Sequence, residues 1–390
     1  MKKLKVGLIG AGFMGKAHVV GYSNMPKFFW PAPAVPVLDT VCDIVPSIAA
    51  DAKERFGFEK FCTNWQDVVN DPTIDIVSVC TPNDSHAEIA IAAIKAGKHV
   101  ICEKPIANTL ENAQIMAEAA ASAQKDQTLI NMCAYQYRRV PALVMAKKLI
   151  DEGSIGKILN IRATYLQSWS ADPSSPLSWR FQKKVAGAGT LGDIATHVID
   201  ITQYLAGDIQ EVVSFMDTYI KERPVQEGGV DLLGTVKLSA DAKKEEVDVD
   251  DEASFLIRLA SGANGSIEAT RNAWGRNNFI SVELHGTEGS ILFNYERLNE
   301  LQVCFAKDPD DRRGFKTIYT GPAHFYGEVT WNIPGMNIGY GELKTIETYE
   351  FIKAVATGVQ PSTTFAEGYK VAKVCDAVFR SAVSGKWEKV

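Results

Sequence analysis

Residues 4–18 read LKVGLIGAGFMGKAH. Leu4 to Ile9 is a short apolar run without clean alternation, the pattern of a strand in a parallel sheet covered on both faces. Gly10-Ala11-Gly12-Phe13-Met14-Gly15 follows at once, and Phe13 to Met25 can form a helix. Strand, GxGxxG turn and helix in that order are the context in which this motif binds a dinucleotide. Gly10 permits the tight turn, Gly12 lets backbone approach the pyrophosphate, and Gly15 lets helix and strand pack closely. The helix N-terminus, around Phe13 and Met14, offers free N–H groups and a positive dipole end to the phosphates.

Further β and α units follow. Val37 to Cys42 is the next strand and ends at Asp43. An acidic residue there accepts hydrogen bonds from the adenosine ribose and repels a 2′-phosphate. Ile44, Val45, Pro46 and Ser47 supply no cation to offset that repulsion, so NAD is expected over NADP. Gly15 and Asp43 stand further apart than usual because PKFFWPAPAVP intervenes. Its prolines preclude regular helix, and Phe28, Phe29 and Trp30 are expected to be exposed, packing locally or mediating subunit contact.

Helical stretches 46–56 and 65–70 precede strand Ile74 to Cys80, the turn Thr81-Pro82-Asn83-Asp84-Ser85-His86, helix 85–96 and strand His99 to Cys102. Glu103-Lys104-Pro105 ends that strand; helix 109–123 and strand Thr128 to Ala134 complete the unit. The alternation predicts an α/β Rossmann domain with a doubly wound parallel sheet over residues 1–136. Asp43, Thr81, Pro82, Asn83, His86, Glu103 and Lys104 then fall at strand C-termini, along one crevice. They are cofactor-binding candidates together with Gly10, Gly12, Phe13 and Met14. His86 admits two readings, a cofactor contact or a buttress of its own helix.

From residue 137 to 390 the character changes. Helix 141–152 is followed by strand-like segments at 157–167, 211–220, 253–260, 265–274, 278–285 and 289–295. Short turns between close strands imply an α+β domain with a large, open, mostly antiparallel sheet. Asp241 to Glu252 reads as a solvated connection, and 308–340 as long loops. A helical pair within 342–384 closes the chain and can pack back toward the first domain.

Inside this domain lies TLGDIATHVID, residues 190–200. Ile194, Val198, Ile201 and Leu205 recur at helical spacing and should face the core. Asp193, His197 and Asp200 fall on an adjacent stripe, where Asp193 and His197, four apart, can hydrogen-bond. Such a carboxylate fixes the imidazole tautomer and raises its basicity. A plain surface Asp–His pair gives the same pattern. The preceding Gly187-Ala188-Gly189 favours function, because it lets another chain or a ligand come close.

The 390 residues exceed one ordinary core, so two domains are expected. A net charge of -6 argues against nucleic acid as the main partner. The seven cysteines show no metal-ligand spacing and read as buried hydrophobes of a reducing cytoplasm; no metal is expected. No segment reaches the roughly 18 apolar residues needed to cross a bilayer.

The chemistry these residues suit is oxidation of a secondary alcohol, whose proton needs a positioned base. His197, oriented by Asp193, is one candidate; Lys104 would steady the developing alkoxide or relay the proton itself. Gln167 and Trp169 follow the second domain's first strand and are candidate substrate contacts, as is Trp274 with Arg271 and Asn272. Trp179 and Arg180 could reach back over the cofactor.

VGLIGAGFMGKAH, TPNDSH, ICEKP, GDIATHVID and HGTEGSI resemble the glucose-fructose oxidoreductase / inositol dehydrogenase (Gfo/Idh/MocA) family over essentially the whole chain. The resemblance implies NAD at the glycine turn, Lys104, Asp193 and His197 at the substrate carbon, and a homo-dimer or homo-tetramer built on the C-terminal sheet. The segments FFWPAPA, SADPSSPLSWRFQK, VDVDDE, ATRNAWGRNN and YTGPAH are similar to members that oxidise the 3-hydroxyl of an anhydrosugar. Gln136 stands where relatives often carry Asn, at the expected carboxamide or substrate contact. The implied activity is NAD-dependent oxidation of a sugar, anhydrosugar or inositol hydroxyl. Two rivals are a glycoside-cleaving enzyme, working by transient C3 oxidation and elimination, and a non-catalytic nucleotide sensor.

Overall fold

The computed structural model describes residues 1–126, 128–225 and 242–390. Its N-terminal sheet comprises β1 (Lys3–Ile9), β2 (Val35–Cys42), β3 (Lys60–Cys62), β4 (Ile76–Val79), β5 (His99–Cys102) and β6 (Asn131–Cys133). Helices α1 (Phe13–Phe28), α2 (Pro46–Phe56), α3 (Trp65–Asn70), α4 (His86–Lys95) and α5 (Leu110–Asp126) connect them. All strands are parallel, in the order β3-β2-β1-β4-β5-β6. Every residue of β4 is buried, as a strand with helices on both faces requires. The order reverses between β1 and β4, so the ligand crevice of this Rossmann sheet lies there, at the strands' C-terminal ends.

The chain continues through α6 (Pro141–Asp151), β7 (Ile158–Leu166), α7 (Lys183–Ala186) and α8 (Thr196–Ala206). Strands β8 (Ile209–Asp217), β9 (Glu222–Pro224), β10 (Lys244–Glu246), β11 (Glu252–Leu259), β12 (Asn264–Thr270), β13 (Phe279–Gly286), β14 (Gly289–Asn294), β15 (Glu300–Phe305) and β16 (Lys316–Tyr319) follow. Helices α9 (Gly327–Thr330), α10 (Tyr340–Thr357) and α11 (Phe365–Ser384) and the short β17 (Glu388–Lys389) end it. Among the described residues, nine strands form one sheet, β16-β15-β14-β13-β7-β12-β11-β8-β17, antiparallel except where β7 meets β12. Ala253, Phe255, Ile257 and Leu259 alternate inward along β11, while α8 and α11 pack on the sheet. Helix α10 packs on α1, and α11 on α5, so the closing helices lie against those of the first sheet.

Four expectations change. Helix α1 runs past Met25 through Pro26 to Phe28. Phe29 is buried, stacked on Tyr349 of α10 at 3.8 Å, and Phe28 meets Trp331 edge-on; only Trp30 of the three is exposed. The 242–252 stretch is not simply solvated: Val247 and Val249 join Leu177 and Phe181 in a small core, and Asp250 and Asp251 are buried (Asp241 lies outside the described residues). The Asp250 carboxylate accepts the N–H groups of Gly189 and Leu191, both at 2.7 Å. Gly187 and Gly189 admit no ligand; a Cβ there would strike the chain's own backbone at Asn108 and Asp250.

Candidate active site

The glycine turn separates two kinds of glycine. Gly10 has φ 94°, and a Cβ on it would come within 2.6 Å of the Cys80 carbonyl. A Cβ on Gly15 would strike the Gly10 carbonyl oxygen. Gly12 instead faces open space, with nothing within 4 Å of its missing Cβ. It caps α1 without any side-chain hydrogen bond, which leaves first-turn N–H groups free. This cradle fits a dinucleotide's pyrophosphate. Asp43 braces it: Oδ2 accepts from Ala11 N and Oδ1 from Val45 N, both at 3.0 Å. Phe13 is exposed with its ring 6.1 Å from Tyr340, whose hydroxyl donates to Met14 Sδ.

Several expected cofactor contacts do other work. His86 is fully buried between the carbonyls of Thr81 (2.9 Å) and Pro105 (3.0 Å), so it ties two crevice loops together and cannot touch a ligand. Asn83 is also buried, its Nδ2 donating to Ala186 O of α7 at 2.9 Å. Glu103 turns inward to His18 and Lys344 instead of toward a ribose. Thr81 and Pro82 keep partial or full exposure, with Thr81 Oγ1 accepting from Ser85 Oγ. Gln136 is buried beside Tyr340, at the start of the turn Gln136–Arg139.

Lys104 and Asp193 meet across the two lobes. Lys104 Nζ donates to the Asp193 carbonyl at 2.5 Å and lies 3.3 Å from Oδ1. Arg271 Nη1 lies 3.2 Å from the other oxygen, Oδ2. Burial alone would push the Asp193 carboxyl up, but the charges of Lys104, Arg271 and Arg180 outweigh it and hold the group well below the usual carboxylate range. His197 is buried in an aromatic cage, 4.6 Å from Tyr137 and about 6 Å from Tyr135 and Tyr165 between ring centres. Burial, then the Lys104 charge, carry its pKa well below 6.5, so the ring is neutral.

The expected Asp193–His197 bond is not made; His197 Nδ1 has no hydrogen-bond partner among the described residues. The reason is local. Leu191–Ala195 winds as a π-turn before α8 begins. Its wider spacing puts i and i+5 in hydrogen-bonding register, so residues four apart no longer stack. Asp200, on the same stripe, is taken by Arg138 (Nε to Oδ2 2.8 Å).

Around this centre Gln167 Nε2 donates to Asn278 Oδ1 (2.8 Å) and Trp169 Nε1 to Gln167 Oε1 (2.9 Å). The Arg271 guanidinium lies 5.0 Å from the Trp169 ring, and that of Arg180 4.4 Å from the Trp179 ring. Trp274 joins none of these contacts and is 73% exposed. Sequence reasoning missed the tyrosine cage and Lys344. The latter left a signal: Lys344 and Glu347 are charged residues among the apolar positions Leu343, Ile346 and Phe351 of one helix.

Such a cradle, opening toward a lysine held by the second lobe, defines an NAD-binding oxidoreductase. The chain belongs to the Gfo/Idh/MocA family: residues 4–130 match "Oxidoreductase family, NAD-binding Rossmann fold" and residues 143–292 match "GFO/IDH/MocA C-terminal domain". It is an NAD-dependent dehydrogenase. Over 390 residues it is 57% identical to levoglucosan dehydrogenase of Pseudarthrobacter phenanthrenivorans, covering 100% of this chain and 99% of that protein. A levoglucosan dehydrogenase solved in complex with NADH and levoglucosan superposes with a TM-score of 0.93 at 55% identity, covering 100% of both chains. Myo-inositol 2-dehydrogenase of Thermotoga maritima is 26% identical over 368 residues, 94% of this chain and 92% of that protein.

Proposed function

We propose that the protein oxidises the 3-hydroxyl of levoglucosan or a closely similar anhydrosugar. The observation that carries this reading is the convergence of Lys104, Asp193 and a neutral His197 from separate lobes beside the dinucleotide crevice. Bound NAD supplies the hydride acceptor. Gly10, Gly12, Phe13, Met14 and Asp43 hold its adenosine and phosphate end, with Thr81, Pro82, Gln136, Trp179 and Arg180 along the crevice. Asp193 fixes the Lys104 ammonium, which steadies negative charge growing on the sugar oxygen. His197, kept neutral, accepts the hydroxyl proton on a ring nitrogen. Arg271 occupies the second Asp193 oxygen, which reserves Oδ1 for Lys104. Gln167 and Trp169 present an amide and an indole to the sugar ring.

In this reading the lobes divide near residues 136 and 137, and the protein works in the cytoplasm. Copies associate through the outer face of the large sheet, where Phe215 and Leu256 are 56% and 52% exposed.

The test mixes the protein with NAD and levoglucosan, glucose, an inositol and an aryl glycoside, following NADH absorbance and free aglycone. NADH with levoglucosan is expected. Aglycone release without NADH would instead mark a glycoside-cleaving enzyme. Lys104→Ala should abolish turnover and keep most NADH affinity; a retained rate would overturn the assignment.

A further inference from the structure

We propose that Lys344 on α10 is a positioning residue that fixes the Lys104 backbone through Glu103; this rests on the role given to Lys104 above. His18, Glu103, Lys344 and Glu347 are all buried, none more than 3% exposed. Glu103 Oε1 accepts from Lys344 Nζ at 2.8 Å and lies 2.9 Å from His18 Nε2. The other oxygen, Oε2, accepts the backbone N–H of Lys104 itself at 3.2 Å. Lys344 Nζ also bonds Glu347 Oε2 at 2.8 Å, and His18 Nδ1 lies 2.7 Å from Ser78 Oγ. One carboxylate thus joins α1, the end of β5 and α10, and through His18 it reaches β4.

Charge is balanced inside the cluster. Burial and the Lys344 charge lower the His18 pKa, but Cys80 and Glu103 more than offset them and raise it to about 9. Two cations then face two carboxylates. A buried ion cluster is weak evidence for stability, because well-packed apolar residues of similar volume serve as well or better. Its placement is informative instead. The cluster delivers a hydrogen bond to the residue whose side chain reaches Asp193, and misplacement by about 1 Å can cost on the order of 100-fold in rate. The same helix sends Tyr340 to Met14 of the glycine turn, so α10 braces both the cofactor turn and the lysine.

Lys344→Met alone would strand two buried carboxylates against one cation. The double variant Lys344→Met/Glu347→Leu removes one charge of each sign and leaves the His18–Glu103 pair. It should fold and bind NADH within about threefold of the parent, with kcat down about 10- to 100-fold and both KM values nearly unchanged. Parent kcat in a folded double variant, whatever its melting temperature, would show a merely structural cluster and overturn the proposal. If the double variant does not fold, Glu103→Gln carries the test: lowered kcat at constant KM supports the brace, and parent kcat refutes it. Lys104→Ala, measured alongside, separates the two ideas. Full rate there refutes the role of Lys104; a dead Lys104→Ala beside a fully active double variant refutes the brace alone.

Discussion

Gly12→Ala separates folding from cofactor binding. Gly12 has φ -69°, which any L-residue adopts, and a Cβ there meets nothing within 4 Å. The free protein should therefore accept the methyl without a clash. Alanine is a poorer N-cap than glycine by about 1 kcal/mol. The stiffer unfolded chain returns about 0.4–1 kcal/mol, so the two nearly cancel. With NAD bound, the methyl occupies the space left for the pyrophosphate. Overpacking of a tight contact costs about 1–3 kcal/mol. At about 1.4 kcal/mol per tenfold, that is about 5- to 150-fold in affinity. Thermal melts without cofactor and a fluorescence titration with NADH measure both quantities. The control is Gly10→Ala, whose Cβ would lie 2.6 Å from the Cys80 carbonyl at φ 94°; it should lose the fold outright. Unchanged NADH affinity in a folded Gly12→Ala protein, or a fall in melting temperature approaching that of Gly10→Ala, would refute the assignment of Gly12 to the phosphate cradle.

Asp43→Ala should raise the KM for NAD about tenfold, the cost of about one charge-assisted hydrogen bond, and narrow its advantage over NADP; an unchanged NAD:NADP ratio of kcat/KM would place the discriminator elsewhere. His197 titrates below 6.5 when folded, so under pH 6.5 the unfolded chain binds a proton the native state does not. Its contribution to stability is complete above that pH and declines by about 1.4 kcal/mol per unit as pH falls. Unfolding free energies of the parent and His197→Asn between pH 5 and 7 check this, and parallel curves contradict it. In the same window kcat/KM for the sugar should show no break near 6.5. Phe29→Ala should cost about 3–5 kcal/mol in denaturant unfolding, because it empties a buried stack on Tyr349; a loss under about 1 kcal/mol would return Phe29 to the surface.

Most of the first lobe was legible because its signals are local. An apolar run, a glycine turn and a helix specify a βα unit without reference to the rest of the chain, and strand order then sends the loops after β1, β2, β4 and β5 to one edge. The PKFFWPAPAVP segment was misread for the converse reason. Proline weakens a helix from within, yet Pro26 sits in the last turn of α1, where little helix remains to break, and Trp331 for Phe28 and Tyr349 of α10 for Phe29 supply the partners that the segment lacks locally. Likewise the acidic stretch before β11 looked solvated, because nothing in it shows that the backbone N–H groups of Gly189 and Leu191 need the Asp250 carboxylate.

At the site, the positions were readable and the pairings were not. Lys104 stands out because a lysine at a strand's C-terminal end in this fold faces the crevice. Its partner comes from a residue 89 positions away, which spacing does not encode. Asp193 and His197 looked like partners under a regular 3.6-residue period, and a single π-turn removes that assumption. Not bonded to His197, Asp193 answers to two cations, Lys104 and Arg271, while burial and the Lys104 charge outweigh the pull of Glu103 and Asp193 and keep His197 neutral among tyrosines. The same three residue types thus give a different division of labour. The carboxylate bonds the lysine and not the imidazole, and in the mechanism proposed above the neutral imidazole takes the proton of a bound hydroxyl.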